Sequence, residues 1–144
     1  MLMEIAHTVA KRGTCSRLHV GAVFSRDGRI VSTGYNGTPA GMPHCQHWDD
    51  DDNTGCDQAE HAERNAIAWA ARHGLALEGC ELHVTHAPCL ACARSVINAG
   101  IGRVSYKTPY RLREGIILLA EAGVEIWDLS RPEGYRQIDP RFQE

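Results

Sequence analysis

Apolar residues recur at helical spacing near the start of the chain, where Leu2, Ile5, Ala6, Val9 and Ala10 share one face and Gly13 ends the run. The pattern then changes to short stretches of strand character. Residues 20–24 and 29–33 predict two strands around the turn Asp27-Gly28, a strong hairpin signal. Residues 38–58 show no periodicity and read as a loop rich in Gly, Pro, Asp and His. So long a loop in a short chain predicts a functional or metal-tied segment. The 3.6-residue period returns over 59–72, with Ala62, Ala66, Ile67 and Ala70 on one side and Gly74 past the end. Strand 81–85, helix 89–99 with Pro88 at its first turn, strand 102–107, helix 113–122 and strand 124–127 follow in alternation. The tail, 131–144, is polar and poorly defined.

A hairpin followed by alternating helices and strands predicts an α/β fold of three layers, α/β/α, around a five-stranded mixed sheet. Helical crossovers make the third, fourth and fifth strands parallel. At 144 residues the chain fits a single domain, 1–144. Composition narrows the partners. A formal net charge of −3 without a Lys/Arg block disfavours a nucleic acid polymer and favours a small substrate. There is no apolar run of ~18 residues to cross a membrane. Met1-Leu2-Met3-Glu4 lacks the basic start of a secretory signal, so the expected location is cytoplasmic.

The six cysteines change the picture more than the charge does. In a cytoplasmic chain, cysteines accompanied by histidine read as metal ligands rather than a disulfide framework. His61, Cys89 and Cys92 supply three zinc ligands and leave a fourth tetrahedral position for water, the mark of a catalytic site. Zinc would bring that water's pKa towards ~7, making hydroxide the nucleophile. Glu63, two residues after the histidine, is placed to shuttle its protons. Both stretches fall at predicted helix starts, His61 and Glu63 in one first turn and Cys89 in the other, where the dipole favours thiolates. Two readings compete. A structural zinc knob would make Glu63 an ordinary first-turn acid, and a thiol redox pair would explain neither His61 nor Glu63.

His-x-Glu paired with Pro-Cys-x-x-Cys is the known signature of the zinc deaminases. From about Cys15 to Trp127 the sequence resembles the deoxycytidylate (dCMP) deaminases of the cytidine-deaminase superfamily. The likeness rests on Cys15-Ser16-Arg17, Val20-Gly21-Ala22-Val23, Gly34-Tyr35-Asn36-Gly37-Thr38-Pro39, His61-Ala62-Glu63, Pro88-Cys89 to Cys92, Asn98-Ala99-Gly100-Ile101 and Pro109-Tyr110-Arg111. The zinc stretches fit the whole superfamily; the Gly-Tyr-Asn-Gly stretch and its loop narrow it. The resemblance implies the cytidine-deaminase-like fold and zinc-dependent conversion of dCMP to dUMP and ammonia, feeding dTMP synthesis. It implies contacts from Asn36 to the sugar, from the Thr33 and Ala62 backbones to the pyrimidine, and from Arg17, Tyr110 and Arg111 to the 5′-phosphate. Asn36 also reads as a turn asparagine in the left-handed region, and the arginines as solvated surface groups.

The resemblance further implies a homo-oligomer, commonly a hexamer, activated by dCTP and inhibited by dTTP. A second, structural zinc would use Cys15, Cys45, His47 and Cys56, a set preferred over one with His44, against the alternative of an ordinary loop. The aspartate run 49–52 reads as solvated loop, or as a magnesium site accompanying an effector nucleotide. Cys80 reads as core. A 5-substituted dCMP is an alternative substrate. A tRNA adenosine deaminase and an inactive zinc module are alternative identities, whereas His61 argues against free cytidine deaminases, which usually place cysteine there.

Overall fold

Asp27 (φ +52°) and Gly28 (φ +77°) make the tight turn their sequence predicts, with both central residues in the left-handed region. They join β1 (Gly21–Arg26) to β2 (Arg29–Tyr35), which pair antiparallel with one irregularity between Phe24 and Ser25. The computed structural model describes residues 1–45, 56, 58–132 and 134–142. Its remaining elements are α1 (Leu2–Ala10), α2 (Ala62–Arg72), β3 (Glu81–His86), α3 (Leu90–Asn98), β4 (Arg103–Thr108), α4 (Glu114–Glu121), β5 (Glu125–Asp128) and β6 (Arg136–Ile138). The strand order is β2-β1-β3-β4-β5-β6. β3, β4 and β5 are parallel, as the helical crossovers require, and the other pairings are antiparallel.

The sheet has six strands, not five. The additional one lies in the polar tail: Ile138 pairs with Ile126 and Arg136 with Asp128. Of Arg136, Gln137 and Ile138 only the isoleucine is apolar, so no alternation marks the strand. Ladder hydrogen bonds and the packing of Ile138 against the core hold it instead.

Alternation along β1 assigns the helices to opposite faces. A Cβ on Gly21 would lie 2.0 Å from Ala6 O in α1, whereas one on Gly34, opposite Ala22, would lie 2.3 Å from Ala62 O in α2. Ala22 and Phe24 share the α2 face with Leu82, Val84, Val104 and Ile126, and that face carries the core with Ala66, Val96, Ile116 and Leu119. α2, α3 and α4 therefore cover one face and α1 the other, giving the expected α/β/α layering. Among the described residues no helix is long and apolar enough to cross a membrane.

Candidate metal centre and cavity

Two helix starts meet at the C-terminal end of the parallel strands, where open α/β sheets place their ligands. His61 is the N-cap of α2, with extended backbone (φ −72°, ψ 150°), and Cys89 is the N-cap of α3 (φ −73°, ψ 173°). Each stands one position outside the helix, not within its first turn. The His61 ring makes no capping bond and remains available. Its Nδ1 lies 3.2 Å from Cys92 Sγ and 3.4 Å from Cys89 Sγ. Cys89 Sγ accepts a hydrogen bond from Cys92 N–H at 3.5 Å.

The Cys92 thiol, and then His61, hold the Cys89 pKa down to about 3 against the cost of burial. Cys92, bonded to that thiolate and fully buried, is raised and keeps its proton. Hydrogen bonding with Cys89 also raises the His61 pKa. Glu63, 4% exposed in the first turn of α2, has its pKa raised by burial, with His61 and the Cys92 thiol favouring the carboxylate more weakly.

One imidazole nitrogen and two sulfurs lie within 4.8 Å of one another. A tetrahedral zinc with ordinary Zn–N and Zn–S bonds separates N from S by about 3.6 Å, so these distances fit it with little movement. An N/S donor set is also one zinc favours.

The stretch Gly34 to Gly37 builds the support beneath this centre. Asn36 Oδ1 accepts from Val20 N–H (2.7 Å) and its Nδ2 donates to Leu18 O (2.6 Å), so the side chain clamps the segment entering β1. The second Nδ2 hydrogen has no acceptor among the described residues. Asn36 is not left-handed; Asp27 is the only non-glycine with positive φ among the described residues. Gly37 bridges to Glu60 through two backbone hydrogen bonds. Tyr35 O accepts from Asn65 Nδ2 (2.8 Å), and Glu60 Oε1 accepts from His61 N–H (3.0 Å).

Beside the centre opens a cavity of about 370 Å³. His61, Glu63 and Cys89 line it, and so do Ala62, Asn36, Arg17, Tyr110 and Arg111. Thr33 does not; it is exposed in β2 opposite Val23. The thiols of Cys15, Cys45 and Cys56 form a second cluster, also within 4.8 Å of one another. Burial, with hydrogen bonds to Cys15 and Cys56, pushes Cys45 up to about 12. His44 is not part of this group, and His47 and the aspartates 49–52 lie outside the described residues. Cys80 is fully buried in the core, as expected. The sequence assigned no role to His86, yet its ring lines the cavity. Its place at the end of β3, three residues before Cys89, was the available signal.

The family described as the cytidine and deoxycytidylate deaminase zinc-binding region matches residues 1–108. The chain belongs to these deaminases. It is similar to ComE operon protein 2 of Bacillus subtilis, at 41% identity over 130 residues, 86% of this chain and 67% of that protein. It is also similar to the deoxycytidylate deaminase of Mycobacterium phage D29, at 39% identity over 72% of this chain and 89% of that one. Among solved structures it resembles the dCMP deaminase of cyanophage S-TIM5, crystallised with dCMP and dUMP. That likeness has a TM-score of 0.80 and 34% identity, covering 88% of this deaminase and 92% of the phage chain. The fold is therefore the cytidine-deaminase type, and the metal its family region binds is zinc.

Proposed function

We propose that this chain hydrolyses dCMP to dUMP and ammonia. The observation that carries the reading is one cavity lined by His61, Cys89 and buried Glu63 together with Arg17 and Arg111. Likeness to an enzyme crystallised with dCMP and dUMP supports the substrate. His61, Cys89 and Cys92 would hold zinc, which when bound would supply the Lewis acidity that brings a water's pKa towards about 7. Glu63 takes the first proton of that water as its oxygen attacks C4, and delivers it to ring N3. It then moves the second proton from the C4 hydroxyl to the amino nitrogen, which leaves as ammonia while C4 becomes a carbonyl. Burial makes Glu63 hold a proton more readily than a surface glutamate, as a carrier between two steps must.

Asn36 and the Ala62 backbone orient sugar and base, and Arg17, Arg111 and Tyr110 meet the 5′-phosphate. Cys15, Cys45 and Cys56, with His47, hold a second, structural zinc that ties the segment before β1 to the long loop. The chain works as a homohexamer, with dCTP activating and dTTP inhibiting, as the resemblance implies. Ammonia release is the test, across dCMP, CMP, deoxycytidine, 5-methyl-dCMP and guanine. Preference for dCMP is expected; turnover of deoxycytidine with dCMP untouched overturns the assignment.

A further inference from the structure

Thr85 and His86 bring β3 to its end at the cavity wall. Thr85 Oγ1 accepts a hydrogen bond from Gly21 N–H at 3.2 Å and lies 2.8 Å from His86 Nδ1. Thr85 is 1% exposed, and its hydroxyl proton has no other acceptor among the described residues. A buried O–H without an acceptor is costly, so the hydroxyl donates to Nδ1. Nδ1 is then the acceptor nitrogen and the ring proton resides on Nε2. The pairing of β1 with β3 fixes this relay from Gly21 N–H through Thr85 to the imidazole. His86 Nε2 has no protein partner among the described residues, and the half-buried ring lines the cavity with Glu63, Arg17 and Arg111.

We propose that His86 is a substrate-binding residue, donating Nε2–H to an oxygen of the bound nucleotide, and that Thr85 is the positioning residue that fixes its tautomer. The inference rests on the nucleotide-deaminase reading. Burial, with His7 nearby, lowers the proton affinity of the ring and keeps it uncharged at neutral pH. It is thus a directional donor in a cavity that two arginines also line. The acceptor is an oxygen of the phosphate or of the nucleoside, and comparing dCMP with deoxycytidine separates these sources.

The test uses the zinc-loaded full chain. His86→Leu is expected to raise KM for dCMP ~3- to 10-fold, one lost hydrogen bond, with kcat within about twofold. His86→Gln, whose amide N–H reaches the Nε2 position, restores most of the loss. A parallel rise in the inhibition constant of deoxycytidine assigns the acceptor to the nucleoside, and a rise confined to dCMP assigns it to the phosphate. Imidazole ¹⁵N NMR is expected to find the proton on Nε2 in the wild type and divided between both nitrogens in Thr85→Val, with Thr85→Ser restoring it. A proton on Nδ1 in the wild type overturns the relay. Unchanged affinities for both ligands in a His86→Leu chain that turns dCMP over overturn the substrate role. A wild-type chain that leaves dCMP untouched overturns the functional reading instead.

Discussion

Glu63 and His83 are both partly or wholly withdrawn from water, with opposite consequences. Burial favours the neutral form of each, raising the carboxyl and lowering the imidazole. In the proposed mechanism this serves proton transfer by Glu63, and Glu63→Gln keeps the shape while removing the capacity to carry a proton. Its kcat is expected to fall ~10²- to 10⁴-fold with zinc content unchanged, read by ammonia release beside metal analysis. Most of the turnover surviving with zinc bound removes Glu63 from the mechanism. For His83 the consequence is stability. Its Nδ1 is buried without a partner, among Glu81, Arg103 and the Met1 amino group. The folded-state pKa lies below the unfolded value near 6.5, so acid protonates the unfolded chain first. The stabilisation is complete above about pH 6.5 and is lost as pH falls towards the lower folded value. Urea midpoints should therefore decline more steeply from pH 7.5 to 5.5 in the wild type than in His83→Phe. Identical slopes would assign the acid loss elsewhere.

At the scale of elements, the candidate metal centre is a meeting of α2 and α3, set by what each start rests on. α2 rests on β2 at Gly34, where an added Cβ would sit 2.3 Å from Ala62 O and 2.7 Å from Ala66 N. Neither atom belongs to a flexible side chain, so relief requires moving the first turns of α2, and Ala62 lies between His61 and Glu63. Gly34→Ala is accordingly expected to lower Tm by several degrees, on the order of 1–3 kcal/mol, and to lower kcat/KM more than ten-fold. An unaltered Tm and turnover would show that the layers separate freely here. The sequence marked this stretch as substrate-selecting because it resembled one. Its scaffolding part was hidden: the Asn36 bonds to residues 18 and 20, and the Gly37 bridge to Glu60, span 16 to 23 positions. The helical periods and the Asp27-Gly28 turn were legible because their causes are local. The start of α3 was misplaced by one position because a cap has extended backbone yet belongs to the helix's hydrogen-bonding frame, and α2 begins at Ala62, three positions after the expected 59.

Across the whole molecule, spacing could name His61, Cys89 and Cys92 as one centre, since a multi-part motif constrains its parts to meet. The backbone contact expected of Thr33 came from the resemblance alone, and Thr33 is not among the residues that line the cavity. Nor could spacing reveal β6, whose three residues show no alternation. The cysteine cluster draws on parts of the chain 41 positions apart at most: Cys15 before the hairpin, and Cys45 and Cys56 on the loop after it. Burial and hydrogen bonds to Cys15 and Cys56 raise Cys45 to about 12, so without a cation this thiol keeps its proton. In the second zinc site proposed above, the ion would exchange the protons of these thiols for coordination and link Cys15 to Cys45 and Cys56. Zinc analysis of the purified chain is expected to give two equivalents. Cys45→Ser should release one of them and lower Tm by roughly 5–10 °C, the effect of a couple of kcal/mol in a chain of this size. The remaining zinc, held by His61, Cys89 and Cys92, should stay through dialysis that strips the first. One equivalent in the wild type, or a Cys45→Ser chain with the same zinc content and Tm, would leave the three cysteines as ordinary packed thiols.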